Sequence, residues 1–200
     1  MHLRGRDHRG KQHAVVMTVT ALALLWSLAA GGHHPVAADD MAGSSAAPMQ
    51  GAGTPVRLTI ATINVDAAIE AVGLTPDGAM DTPQTPDDTA WYQLGPRPGD
   101  QGNAVIVGHV DSSAGGAVFR DLRTLTLGSL IVVVSDDGMT HKFVMRAAER
   151  YPLGSAPLTD IFGAGDGIHL TLITCDADTP FDRASGKYAG HVVVYADAVA

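Results

Sequence analysis

Leu170-Thr-Leu-Ile-Thr-Cys175 is an apolar, β-branched run that ends on the only cysteine of the chain. Read as a strand, it delivers one thiol to its C-terminal end. Asn103-Ala-Val-Ile-Val-Gly-His109 reads the same way and ends on a histidine. Further short apolar segments lie around these two: Val56 to Ile60, Ile63 to Ile69, Leu130 to Ser135, Thr140 to Ala148 and His191 to Ala196. Turn chemistry separates them, most plainly at Thr75-Pro-Asp-Gly78 and Asp136-Asp137-Gly138. About seven or eight short strands at this spacing, with no long helical pattern after residue 30, predict an all-β barrel or sandwich. Val118 to Leu122 reads as a short helical turn. Ser112 to Gly116, Tyr151 to Gly167 and Asp176 to Ala189 read as loops.

Composition narrows the partners. Aromatics are only 5% of the chain, so the core is expected from Val, Ile, Leu and Ala, with Trp91-Tyr92 covering one end. Asp and Glu number 21 against 13 Lys and Arg, a formal net charge of −8. Four of the basic residues, Arg4, Arg6, Arg9 and Lys11, precede the first apolar run, which leaves an acidic body. A phosphate backbone needs a basic face, so nucleic acid is excluded as the expected partner. One cysteine cannot form an internal disulfide.

The chain divides into four parts. Residues 1–13 are basic and polar. Ala14 to Ala30 carries no charge and as a helix is about 26 Å long, close to a ~30 Å hydrocarbon core. Residues 14–31 are read as a signal anchor, basic end inside and remainder outside, because the run is long for a signal-peptide core. The alternative is a secretory signal cut near Val36-Ala37-Ala38. Residues 32–54, rich in Gly, Ala, Ser and Pro, read as a flexible linker with an r.m.s. reach of roughly 27 Å. His33-His34 in that linker is assigned no metal. The folded domain is expected over 55–200.

A thiol needs a neighbouring base or cation to become a nucleophile. His109 follows an apolar strand and a glycine and leads into a Gly/Ser loop, so its ring can face an open cleft. His141 stands beside Lys142 on a hairpin strand and is expected to be solvated. His169 begins the cysteine strand, about 20 Å from the thiol in extended chain. His191 begins the closing strand and is a rival to His109. Charge that develops on a carbonyl under attack calls for a cation or N–H donor. Arg183 is the only arginine after Cys175, although a surface pair with Asp182 or Asp178 is the plainer expectation for it.

These residues carry a resemblance. Gly108-His109-Val-Asp-Ser, the loop leading to Val118-Phe-Arg-Asp-Leu122, Leu172-Ile-Thr-Cys175, Phe181-Asp-Arg-Ala-Ser-Gly-Lys-Tyr188 and Val192-Val-Val-Tyr-Ala196 resemble a sortase, most closely the class F sortases of actinobacteria. Arg57 to Ala68, Trp91-Tyr92 and Gly95-Pro-Arg-Pro-Gly99 extend the likeness over roughly 55–197. The resemblance implies an eight-stranded sortase β-barrel with short helical turns and a cysteine transpeptidase activity. Cys175 would cleave the Thr–Gly bond of an LPXTG-type sorting signal through a thioester, which a peptidoglycan precursor amine resolves. His109 would be the general acid/base, and Arg183 would hold the carbonyl and the oxyanion. Thr174 would assist substrate binding through its hydroxyl or its backbone. In many sortases the arginine lies at the start of the last strand, where Gly190-His191 stand in this chain. No cofactor or metal is implied. The expected setting is a membrane-anchored monomer with its catalytic domain outside the cell. An inert buried thiol fits poorly at a strand end that opens into a polar loop. Two other readings remain: a non-catalytic extracellular β-domain that binds cell-wall or sorting-signal ligands, and a cysteine hydrolase on the same scaffold.

Overall fold

The alternation along the apolar runs is the alternation between the inside and outside of a barrel. A computed structural model describes residues 51–163 and 165–200. Its principal strands are β1 (Pro55–Ile60), β2 (Val65–Val72), β3 (Thr89–Tyr92), β4 (Gly102–Gly108), β5 (Leu130–Ser135), β6 (Thr140–Pro152), β7 (Ile168–Cys175) and β8 (Gly190–Val199). They close into one barrel in the order β1-β2-β3-β4-β7-β8-β6-β5. The pairs β2–β3 and β4–β7 are parallel and the others antiparallel. The expectation of an all-β, eight-stranded barrel holds, and closure leaves no sheet edge to protect.

Period-two alternation sorts the side chains. Leu58, Ile60, Ile106, Ile131, Val133, Phe143, Leu170, Leu172 and Val194 fill the interior together with Phe119 and Leu122. The core is aliphatic, as composition requires, and Trp91 belongs to it, whereas Tyr92 packs in a second cluster. The indole Nε1–H of Trp91 donates to the Pro96 carbonyl at 2.9 Å. A second cluster lies outside the barrel, where Val105, Ile161 and Val193 pack with Tyr92, Phe162 and Ile173. Ile161 and Phe162 belong to α1 (Leu158–Phe162). β4 and β7 are therefore covered on both faces, which is why they read as nearly continuous apolar runs.

Several segments differ from expectation. Asp111–Ser112 pairs with Gly115–Gly116 where a loop is read, and α1 interrupts the loop read over Tyr151 to Gly167. β6 extends to Pro152 rather than ending at Ala148, because β8 pairs along it from Lys142 to Pro152. The stretch from Asp176 to Ala189 is not plain loop: Phe181–Asp182 pairs with Lys187–Tyr188 in a small hairpin. Residues 52–54, expected as linker, are pinned to the domain. The Ala52, Gly53 and Thr54 amides donate to the carboxylates of Asp100, Asp137 and Asp136. The expected basic segment 1–13, the anchor 14–31 and the linker up to residue 50 lie outside the described residues. Among the described residues no helix is long and apolar enough to cross a membrane.

Candidate active site

Cys175 lies in phase with Thr171 and Ile173, on the outward face of β7. β4 runs parallel beside it, with Val107 opposite Ile173. The residue two beyond Val107 is His109, again outward. Thr174 points inward and its Oγ1–H donates to the Gly108 carbonyl at 2.8 Å. That buried hydrogen bond ties the two strand ends together just below the thiol and the imidazole. Gly108 is required by space: a Cβ there would lie 2.7 Å from Phe119 Cδ2 and 2.8 Å from Val118 Cγ1. Beyond it, the His109 carbonyl accepts from the Phe119 N–H at 2.9 Å. A side chain anchored in the core thus fixes the backbone of the histidine.

The His109 ring is fixed from the other side. Its Nε2 lies 3.0 Å from the Pro83 carbonyl oxygen. A carbonyl only accepts, so Nε2 carries a proton and Nδ1 is the nitrogen that gains or loses one. Pro83 lies in the Thr82–Asp88 loop, whose role was not visible in the sequence.

Cys175, His109, Thr174 and His191 line one cleft of about 490 Å³ on the outside of the barrel. Its walls are apolar, formed by Leu74, Met80, Tyr92, Leu158, Ile161 and Phe162. Asn103 sets one of these walls in place. Its buried Nδ2 donates to the Ile161 carbonyl at 2.8 Å and to Thr171 Oγ1 at 2.9 Å, which fastens α1 to both β4 and β7. No signal in the sequence pointed to Asn103 beyond its being a polar residue at the start of an apolar strand.

The electrostatics of the cleft hold the thiol protonated. Burial pushes Cys175 up, and the negative charge of Asp111 adds to the effect. Asp111 opens the short hairpin after His109, where Asp111–Ser112 pairs with Gly115–Gly116, and accepts a hydrogen bond from the Tyr188 hydroxyl. This contact links the loops that follow the two site strands and raises Tyr188 above the usual phenol range. His191 is half-buried, and burial holds it below the usual histidine range.

The other sequence candidates fall elsewhere. Arg183 sits on the exposed turn of the small hairpin and does not line the cleft. Neither surface pair expected for it forms. The Asp182 carboxylate accepts from the Ala184 N–H and the Ser185 hydroxyl, and Asp178 pairs with Arg123 and Arg150. His141 is not simply solvated, since its Nε2 lies 3.0 Å from Ser135 Oγ. His169 borders a separate hollow of about 540 Å³. Its ring is engaged at both nitrogens, by Asp197 and by the Asp166 carbonyl. Among the described residues no three His, Cys, Asp or Glu side chains converge as a metal site.

After Cys175 the chain is held by charge. Arg150 donates to both oxygens of the buried Asp176 carboxylate, each at 2.7 Å, and this holds Asp176 well below the usual carboxylate range.

The same barrel occurs in solved proteins. Sortase A from Corynebacterium diphtheriae superposes with a TM-score of 0.56 at 20% identity, over 74% of this chain. The chain spans 62% of the length of that protein. Sortase C-1 from Actinomyces oris gives 0.56 at 24% identity over 73% of this chain and 75% of its own length. Sortase C from Clostridium perfringens gives 0.54 at 14% identity over 74% and 72%. At these identities the likeness is one of fold. No curated protein matches the chain. Residues 58–199 match the sortase domain family, a span that takes in all of the barrel but the first three residues of β1. With most of its length inside that match, the chain belongs to the sortase family.

Proposed function

We propose that this protein is a cysteine transpeptidase that cleaves an LPXTG-type sorting signal and transfers the acyl part to a cell-wall amine. The observation that carries the reading is the convergence of Cys175 and His109 from parallel neighbouring strands onto one apolar cleft. The cleft suits a short extended peptide with an aliphatic side chain: its walls receive the side chain, and the thiol stands at the strand end where a carbonyl can approach.

In this mechanism His109 takes the thiol proton on Nδ1 while Nε2–H stays on the Pro83 carbonyl. The sulfur adds to the carbonyl carbon, and the π pair moves to oxygen. On collapse the C–N bond breaks and the leaving amine takes the proton from His109, which leaves a thioester on Cys175. An incoming amine adds to the thioester carbonyl, the C–S bond breaks, and the proton lost by the amine passes through His109 to the departing Cys175 sulfur. Thr174 supports the site through its bond to Gly108 and through its backbone at the cleft. Arg183 serves as the carbonyl cation in this scheme only if the 181–188 hairpin folds over the cleft. Membrane anchorage through residues 14–31, an extracellular catalytic domain, a peptidoglycan precursor as the amine and placement among class F sortases complete the proposal.

The test uses the full chain with an LPXTG-type peptide and a glycine or diaminopimelate-like amine, followed by mass spectrometry. The expected result is an acyl-enzyme on Cys175 and a ligated product, both absent from Cys175→Ala. Hydrolysed peptide without ligation at any amine concentration would identify a hydrolase. A folded protein that forms no adduct with a panel of sorting peptides would be a binding module.

A further inference from the structure

His191 opens β8 and pairs in register with Cys175 across the β7–β8 ladder. The Asp176 N–H donates to the Gly190 carbonyl at 2.9 Å. That makes Asp176/Gly190 a hydrogen-bonded position and Cys175/His191 the adjoining non-hydrogen-bonded one. In such pairs the Cα atoms are about 4.5 Å apart and the side chains approach most closely. Both side chains project outward, and both line the cleft. Among the described residues the His191 ring makes no hydrogen bond, although it is half-buried beside apolar groups.

A thiol adding to a carbonyl places negative charge on an oxygen close to Sγ. That oxygen needs a donor at about 2.7–3.1 Å in a site closed to water. The residues lining the cleft include no lysine or arginine. The Thr174 hydroxyl is engaged with Gly108, and His109 is occupied with proton transfer. The Thr82 and Tyr92 hydroxyls also line the cleft, but His191 is the donor-bearing side chain that stands in register beside Cys175. Burial keeps it neutral at neutral pH, and a neutral imidazole still has one N–H to donate.

We propose that His191 is a catalytic residue of this site, whose imidazole N–H donates to the scissile carbonyl and stabilises the oxyanion formed as Cys175 adds. The inference rests on the acyl-transfer reading of the cleft, but not on the identity of the peptide. The N–H stays on His191 throughout; the proton that moves is the one exchanged between thiol, His109 and amine.

Two small reagents isolate this role, because Cys175 is the only thiol in the full chain. p-Nitrophenyl acetate acylates sulfur through a tetrahedral oxyanion and expels p-nitrophenolate. Iodoacetamide alkylates sulfur by displacing iodide, with no oxyanion. In His191→Phe the acylation rate is expected to fall by about 10²-fold, while alkylation stays within about twofold of wild type. His191→Gln, which keeps an N–H donor, is expected to retain more of the acylation rate than His191→Phe. His191→Ala is read alongside, so that the added bulk of phenylalanine does not decide the outcome. An equal fall in both reactions would make His191 a group that ionises the thiol, and would overturn the proposal. No change in either reaction, or equal loss in the Gln and Phe variants, overturns it as well. Selective loss of acylation in a protein that ligates no sorting peptide would sustain the role of His191 and remove only the transpeptidase reading.

Discussion

Asp111 places a negative charge within reach of the Cys175 thiol, and this single residue has a measurable consequence. Asp111→Asn keeps the side-chain shape and removes the charge, so the pH midpoint for iodoacetamide alkylation of Cys175 is expected to fall. In the wild type that midpoint is expected above the range of an unperturbed cysteine, about 8.5, because burial adds to the carboxylate. A midpoint unmoved by Asp111→Asn would show that burial alone sets the thiol. At this scale Cys175 and His109 were legible because each ends an apolar strand, and chemistry explains why a thiol needs a base. Asp111, Tyr188 and Asn103 were not legible. Their roles depend on which loops and strands lie side by side, and no local pattern encodes that. Arg183 was chosen as the only arginine after Cys175, and that logic says nothing about which way a hairpin turn points.

The paired ends of β4 and β7 act as one unit. Thr174→Val removes the only side-chain donor to the Gly108 carbonyl among the described residues. It is expected to cost about 1–2 kcal/mol in urea denaturation and to lower kcat without slowing alkylation of Cys175. Gly108→Ala forces a methyl into Phe119 and Val118. It is expected to destabilise the domain by about 1–3 kcal/mol and to impair activity more than Thr174→Val does. Asp176 and Arg150 anchor the segment beyond the thiol. Asp176 is depressed in the folded state, so its contribution is present above the unfolded carboxylate range, near pH 4, and is lost as pH falls through the folded value. The Tm gap between wild type and Asp176→Asn is therefore expected to be full at pH 7 and to shrink below about pH 4. Strand positions were readable because the alternation survives in each run. The length of β6 was not, since Glu149 and Arg150 interrupt the apolar alternation with exposed charge and Pro152 reads as a breaker, and these residues are strand only because β8 pairs with them. The 181–188 hairpin was hidden for the same reason: two pairs of residues suffice for it, too few to show a period.

Across the whole barrel, closure joins strands far apart in sequence, as when β1 pairs with β5 and β4 with β7. Such non-local pairing predicts folding on the millisecond-to-second scale rather than in microseconds. Trp91 reports on it well, being buried in the core and the only tryptophan of the described residues. For a fragment of residues 51–200, urea transitions followed by Trp91 fluorescence and by far-UV circular dichroism are expected to coincide. Separate midpoints would divide the β3–β4 side from the rest. The class of fold was legible from strand count and turn spacing, whereas the order of strands around the barrel was not, because apolar alternation marks a face and never a neighbour. The double covering of β4 and β7 has a consequence for amide exchange. Their N–H groups are shielded by the core on one side and by the α1 cluster on the other, so they should be among the last in the domain to take up deuterium. The nucleophile is then carried at the end of the slowest-exchanging part of the molecule, and a bound peptide should leave a protection footprint on the cleft loops while barely altering the strands beneath.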